Sequence, residues 1–229
     1  MHILVTANAA WNILNFRRAL LVGLILDGHS VTVLAPRDGS LVTLENLGCK
    51  VLPLEMSVKG LNPLKDFKMI RRMRKVFRIE RPDAILSFTI KNNIFGALAA
   101  RPLGIPFIPN VTGLGTAFLS GNFLELIAGG LYRCAFRNLH VVFFQNQDDR
   151  NLFLTRRLIT AEQARLLPGS GIDLNHFAAT DFAKNKNVPV FLMIARLLRD
   201  KGVFEYVAAA RKVKSDYPRA HFQLLGAVD

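Results

Sequence analysis

The stretch His2-Ile3-Leu4-Val5-Thr6, followed through a helical segment by Ser30-Val31-Thr32-Val33-Leu34-Ala35, decides the fold class. Both runs are nearly continuous in apolar and β-branched residues, as strands covered on both faces must be. Between them Asn15 to Asp27 has helical spacing, and Gly28 supplies the left-handed residue after the last turn. Pro36 closes the second strand. Strand, helix and strand in this order make the βαβ unit of a parallel sheet, so the expected fold class is α/β and Rossmann-like.

The rhythm continues outward. Leu41 to Leu47 reads as a short helix and Lys50 to Leu54 as a third strand; Leu64, Phe67, Ile70, Met73 and Phe77 recur at helical spacing until Pro82. Asp83 to Phe88 is a fourth strand, Asn93 to Arg101 a short helix and Pro106 to Val111 a fifth strand. Leu139 to Phe144 and Ala164 to Leu167 are two more, separated by a helix containing Arg150 to Leu158. The polar segment Asp181 to Asn187 lacks apolar periodicity and reads as a linker. After it Val188 to Ala195, Gly202 to Asp216 and His221 to Gly226 form one new βαβ unit. The expected organisation is a complete domain over 1–180, a linker over 181–187, and the opening of a second domain over 188–229.

Composition sets the class. Of 229 residues 51% are apolar, enough for one substantial core and the start of another. Cys49 and Cys134 lie far apart without metal-ligand spacing, which fits a reducing cytoplasm. Met1 leads directly into a strand, without the basic and apolar regions of a signal peptide. Apolar runs such as Ala19 to Leu26 fall well short of the roughly 20 residues that span a bilayer. The net charge of +13 is unevenly placed: Lys65, Lys68, Arg71, Arg72, Arg74, Lys75, Arg78 and Arg81 crowd one helix against only Asp66 and Glu80. Such an excess points to an anionic partner. Arg71, Arg72, Arg74 and Lys75 are the candidate contacts with a membrane surface, and the apolar Phe118, Leu119, Phe123, Leu124, Leu126 and Ile127 are a second candidate, for that interface or for packing. No nucleic-acid motif or basic–aromatic stacking platform accompanies the charge, so nucleic acid is not expected as a partner.

A dinucleotide cofactor would need a glycine-rich turn after the first strand, yet no glycine precedes Gly23. The strongest chemical signal is Ala195-Arg196-Leu197-Leu198-Arg199-Asp200-Lys201-Gly202, where the first strand after the linker meets its helix. Ligands bind at the carboxyl ends of parallel strands, and helix N-termini attract phosphate. Two cations there suit a diphosphate.

This strand-(G/A)-R-L-x-x-x-K-G-helix pattern resembles the nucleotide-sugar site of family 4 glycosyltransferases of the two-Rossmann-domain (GT-B) type. Four further blocks resemble one subgroup of that family: Asn15-Phe16-Arg17, Phe88-Thr89-Ile90-Lys91-Asn92-Asn93, Asn110-Val111-Thr112-Gly113-Leu114-Gly115-Thr116 and Leu167-Pro168-Gly169-Ser170-Gly171-Ile172-Asp173. The resemblance implies sugar transfer, with retention of configuration, from a nucleotide-diphosphate donor such as a UDP-sugar to a polyprenyl-diphosphate-linked saccharide in capsule, lipopolysaccharide or N-glycan assembly. It implies no cofactor and no tightly bound metal. Arg196 and Lys201 would hold the donor diphosphate; Asn15, Arg17, Lys91, Asn92, Thr112 and Gly113 would meet the acceptor; Gly169, Ser170 and Gly171 would line the cleft. Asn15 and Asn92 have an ordinary alternative as helix caps.

The sequence departs from the family in two places. Many members carry a histidine near the end of the fifth strand, where Asn110-Val111-Thr112-Gly113 stands here, so no catalytic histidine is named; His29, His140 and His176 do not fit that block. The family's acidic pair, which engages donor sugar and ribose, lies downstream of Asp229, so the chain reads as ending inside its second domain. The expected location is peripheral, at the inner face of the cytoplasmic membrane. The competing expectation is a fragment that binds acceptor or membrane without transfer.

Overall fold

The computed structural model describes residues 1–57, 62–113, 122–179 and 188–226. The chain divides into two compact units, Met1–Phe177 and Ala178–Asp229. The first carries a seven-stranded sheet built from β1 (His2–Thr6), β2 (Ser30–Ala35), β3 (Lys50–Pro53), β4 (Ala84–Phe88), β5 (Phe107–Val111), β6 (Val142–Phe144) and β7 (Ala164–Leu166). The strands lie in the order β3-β2-β1-β4-β5-β6-β7 and every neighbouring pair is parallel. The order reverses between β1 and β4, which opens a crevice at their carboxyl ends.

Helices α1 (Ala10–Leu26), α2 (Leu41–Asn46), α3 (Pro63–Glu80), α4 (Ile90–Ala100), α5 (Asn122–Phe136) and α6 (Gln147–Thr155) cover the two faces unequally. On one face Ile3, Val5, Val31 and Val33 bury Ile13 and Leu21 of α1 and Leu44 of α2. On the other, Leu4, Leu34, Ile85, Phe107, Val142 and Phe144 bury side chains of α3, α4, α5 and α6. An aromatic cluster anchors this second layer: Tyr132 and Phe153 stand edge to face at 4.9 Å, and Phe144 meets Phe153 at 5.1 Å. Burial lifts the Tyr132 hydroxyl pKa far above its ordinary value. On the α1 side, Leu86, Ile108 and Phe143 stay half-buried, and the cleft described below lies over them.

Helix α1 begins at Ala10, earlier than the pattern from Asn15 suggests. No side chain of its own caps it; the Asp38 carboxylate, from the loop after β2, accepts from the Trp11 N–H at 2.9 Å. A cap from a distant loop has no local sequence signal. Helix α4 likewise starts at Ile90, directly after Thr89, whose φ of 73° is unusual for a side-chain-bearing residue. The sequence reading places no helix at α5, whose interior carries Gly129-Gly130. Each glycine costs about 1 kcal/mol relative to alanine, but buried Ala128, Tyr132, Ala135 and Phe136 hold the helix by tertiary packing.

Helix α3 corrects the expected apolar stripe. Its buried residues are Asp66, Met69, Met73 and Phe77, while Leu64 and Phe67 are 77% and 58% exposed. The cause is the Asp66 carboxylate, which receives the Lys91 ammonium at 3.0 Å with both side chains nearly buried. Turning the helix to bury Phe67 would pull Asp66 off that partner.

The second unit holds β8 (Val190–Ile194), α7 (Val203–Asp216) and β9 (His221–Leu225), one parallel βαβ unit. The Tyr206 hydroxyl on α7 lies 2.9 and 3.0 Å from the carbonyl oxygens of Phe191 and Gln223, and Phe191 stacks on Phe222. The expected linker 181–187 lies outside the described residues, as do Leu114, Gly115, Thr116, Phe118 and Leu119.

Candidate functional site

The site begins with one cation in an apolar row. Ala10, Ile13, Arg17 and Leu21 form the buried ridge of α1, so Arg17 occupies a position that packing alone would give to a leucine. It is only 7% exposed. Its guanidinium lies 4.3 Å over the Phe88 ring, and Nη1 donates to Ser170 Oγ and to the Phe16 carbonyl. Its Nε is buried without a hydrogen-bond partner, and burial pushes the Arg17 pKa below its ordinary value.

Around it Phe16, Leu20, Leu86, Phe88, Ile108, Asn110, Phe143, Gln145, Leu167, Gly169 and Ser170 enclose a cleft of about 270 Å³. The polar groups converge. Ser170 Oγ accepts from Arg17 and from Gln145 Nε2 at 3.1 Å, leaving its own O–H to donate. Asn110, 9% exposed, has a buried side-chain oxygen without a partner. No carboxylate is among the lining residues. A buried guanidinium with an open N–H, a hydroxyl donor and walls of Phe, Leu and Ile suit an anion attached to an apolar body. A wider depression of about 570 Å³ lies at the opposite ends of the strands, but its polar groups satisfy one another: Lys50 pairs with Glu80 at 2.8 Å, and His2 Nε2 meets Thr32 Oγ1 at 2.8 Å.

The cleft brings together four separate sequence blocks, through Phe16–Arg17, Phe88, Asn110 and Leu167–Ser170. Gly169 and Gly171, at φ 99° and 70°, shape the last of them; both are left-handed positions open to glycine. Asn15 is exposed on α1 and donates to the Trp11 carbonyl at 2.8 Å. Thr112 is exposed just beyond β5, with Gly113 after it at φ 139°.

Lys91 and Asn92 are built into the interior. Lys91 is the partner of Asp66, and Asn92 is 0% exposed. The Asn92 amide donates to Thr6 Oγ1 at 2.8 Å and its oxygen accepts from Thr89 Oγ1 at 3.1 Å; the Asn8 N–H donates to Thr89 Oγ1 at 3.2 Å. This chain of bonds ties the carboxyl end of β1 to the first turn of α4 and holds the Thr89 backbone in its strained conformation. Their geometry is that of side chains supporting the rim.

Of the four expected membrane contacts, two are engaged with the protein itself. Arg72 pairs with Glu55 at 2.8 Å and Arg74 reaches the Leu98 carbonyl at 3.4 Å, while Arg71 and Lys75 face solvent. In the second unit Arg196 follows β8 and Lys201 ends the 3-10 turn Arg199–Lys201 before α7; both are exposed, and Lys201 lies 3.7 Å from Asp200. Sequence reasoning missed Gln145, and took Asn110 only as part of a block. Gln145 follows β6 directly, so strand-end position was the available signal. Arg17 in register with Ile13 and Leu21 was readable too.

Comparison with known proteins gives the architecture its family. The chain is 31% identical to N,N'-diacetylbacillosaminyl-diphospho-undecaprenol alpha-1,3-N-acetylgalactosaminyltransferase of Campylobacter jejuni, over 97% of this chain and 62% of that one. It thus spans less than two thirds of that curated relative. Among solved structures, sucrose-phosphate synthase from Thermosynechococcus elongatus superposes with a TM-score of 0.72 at 16% identity, covering 100% of this chain and 63% of that one. HepE of Anabaena, crystallised with UDP and glucose, gives 0.69 at 17% identity, covering 99% and 70%. These likenesses place the fold in the GT-B class. The family described as "Glycosyl transferase 4-like domain" matches residues 15–170, the span that contains every wall of the Arg17 cleft, and it is to this glycosyl transferase 4-like family that the chain belongs.

Proposed function

We propose that the protein is a glycosyltransferase that moves a sugar from a nucleotide-diphosphate donor, a UDP-sugar, onto a polyprenyl-diphosphate-linked saccharide. The observation that carries this reading is the Arg17 cleft: a buried cation, with no carboxylate among the described lining residues, beside apolar walls at the carboxyl ends of the strands. A lipid diphosphate has the matching chemistry, an anionic head on an apolar body. The relative's printed acceptor, a diphospho-undecaprenol, supports the same class.

In this reading Arg17 and Ser170 hold acceptor phosphate oxygens, Asn110 accepts from the acceptor, and Gly169 and Gly171 keep the rim low. Thr112, Gly113 and Asn15 border the acceptor's path, and Lys91 and Asn92 set the rim rigidly behind it. Arg196 and Lys201 neutralise the donor diphosphate as it departs, which is stabilisation of developing charge by prearranged cations. Configuration at the transferred sugar is retained, the product feeds surface polysaccharide assembly, and the protein works at the inner face of the cytoplasmic membrane.

The test is transfer itself. The protein is mixed with a panel of UDP-sugars and a short-chain polyprenyl-diphosphate disaccharide, products are separated by mass, and the new linkage is read by NMR. The expected result is one added hexose or N-acetylhexosamine with the donor's anomeric configuration, and Arg17→Ala raising the acceptor KM about 100-fold, the roughly 3 kcal/mol of a charge-assisted contact. Transfer that proceeds equally well to a water-soluble sugar lacking the diphosphate would overturn the assignment.

A further inference from the structure

The outward ridge of α3 joins exposed cations to exposed apolar side chains. At 100° per residue, Leu64, Phe67, Arg71, Lys75 and Arg78 fall on one line of the helix, opposite the buried line Asp66, Met69, Met73 and Phe77. Lys65 and Lys68 flank it, and all of these residues are exposed. The helix carries two acids and neither neutralises the ridge: Asp66 is buried against Lys91, and Glu80 is paired with Lys50. The ridge is therefore a row of cations tipped by a leucine and a phenylalanine.

The tip lies at a meaningful end. Because β3 and β4 are parallel to their neighbours, α3 runs back against them and its first turn sits at the carboxyl rim of the sheet, the rim that carries the Arg17 cleft. Leu64 and Phe67 stand 77% and 58% exposed there, and the Asp66–Lys91 pair fixes the helix rotation that exposes them. No described helix is long and apolar enough to cross a membrane.

We infer that the first turn of α3 is a peripheral membrane anchor: Leu64 and Phe67 enter the headgroup–acyl boundary of an anionic bilayer while Lys65, Lys68, Arg71, Lys75 and Arg78 bind its phosphates. Charge complementarity selects anionic lipid, and the apolar tip selects a bilayer over a soluble polyanion. The inference deepens the lipid-linked acceptor reading by turning the rim of the cleft toward the surface where such an acceptor resides. It differs from a uniformly basic face, because Arg72 and Arg74 are spent on Glu55 and the Leu98 carbonyl.

The full chain is sedimented with vesicles of phosphatidylglycerol and phosphatidylcholine, and with phosphatidylcholine alone. Binding is expected on the anionic vesicles only. Arg71→Gln and Lys75→Gln should each lower the partition coefficient about fivefold, the worth of one cation near a charged surface. Leu64→Ser with Phe67→Ser should lower it at least tenfold, with circular dichroism unchanged. Insertion is read directly by Phe67→Trp in a Trp11→Phe background, whose emission should shift to the blue and be quenched by brominated lipid. Equal binding to neutral vesicles, no loss on serine substitution, or an unshifted, unquenched tryptophan overturns the inference. Sugar donor and acceptor are absent from this assay, so its failure leaves the transferase reading untouched, and a failed transfer assay leaves this result standing.

Discussion

Replacing Arg17 with methionine separates a cation kept for a ligand from one kept for the fold. In the folded protein the guanidinium gains about 1 kcal/mol from the Phe88 ring and about 1.5–3 kcal/mol from each hydrogen bond, to Ser170 and to the Phe16 carbonyl. Against this stand several kcal/mol for taking the charge out of water and about 1–3 kcal/mol for the unpartnered Nε. The two sides nearly cancel. Methionine fills the same space on the ridge between Ile13 and Leu21 without the desolvation cost, so Arg17→Met should change unfolding free energy by less than about 1 kcal/mol. A structural arginine paired with a buried carboxylate would cost about 3–5 kcal/mol. The ligand response should differ sharply. Farnesyl diphosphate at 100 times its wild-type Kd adds about 2.7 kcal/mol to wild-type stability, or about 5–10 °C in Tm for a domain of this size, and less than about 0.5 kcal/mol to a variant that binds 100-fold more weakly. Urea unfolding and thermal melting with and without ligand measure both quantities. A loss of 3 kcal/mol in the unliganded variant, or an unchanged ligand-induced shift, would refute the reasoning.

Three other substitutions probe the frame around the cleft. Lys91→Met strands the Asp66 carboxylate in the interior, where among the described residues its remaining contact is the Asn62 N–H, and should cost about 3–5 kcal/mol by urea unfolding; adding Asp66→Leu should recover part of it. Asp38→Asn should cost about 1 kcal/mol through α1. Burial is the largest single influence on Asp38 and raises its pKa, but hydrogen bonds from Trp11, Ser40 and Ala10 together outweigh it and hold the value below the ordinary 3.8; a depressed folded pKa contributes stability above 3.8 that fades as pH falls through the folded value, so wild type and variant should converge in acid melts. Gly96→Ala places a methyl 2.7 Å from the Phe107 ring and 3.2 Å from Met73 Cε, and should destabilise by about 1–3 kcal/mol as the ring is displaced, seen as a lower midpoint in denaturant.

Much of the fold was legible because the strands are apolar on both faces and each βαβ unit repeats the same signals. Four of the five motif blocks converge in fact, since parallel strands bring all their carboxyl ends to one rim. The illegible parts have a common physical origin in contacts that are remote in sequence. Asp66 looks like a solvated helix residue until Lys91 is beside it, and its burial turns Leu64 and Phe67 outward. Gly129-Gly130 looks like a break until the aromatic cluster around Tyr132 and Phe153 is known. Thr89 adopts a positive φ that no residue type at that position announces, because Asn92 and Asn8 hold it there. Arg17 shows the converse case: its inward position was written in the helical register, and its meaning lay in the missing counter-charge.

The Asp38 cap also fixes an order of events during synthesis. Helix α1 starts at Ala10, but the carboxylate that closes its first turn is 27 residues beyond Trp11, roughly one to five seconds of translation at ordinary rates. Until β2 and the loop after it have emerged from the ribosome, the leading end of this helix frays, and the row that presents Arg17 has no fixed start. The growing chain therefore cannot complete the helix that carries Arg17 one element at a time; it must wait for the strand that follows.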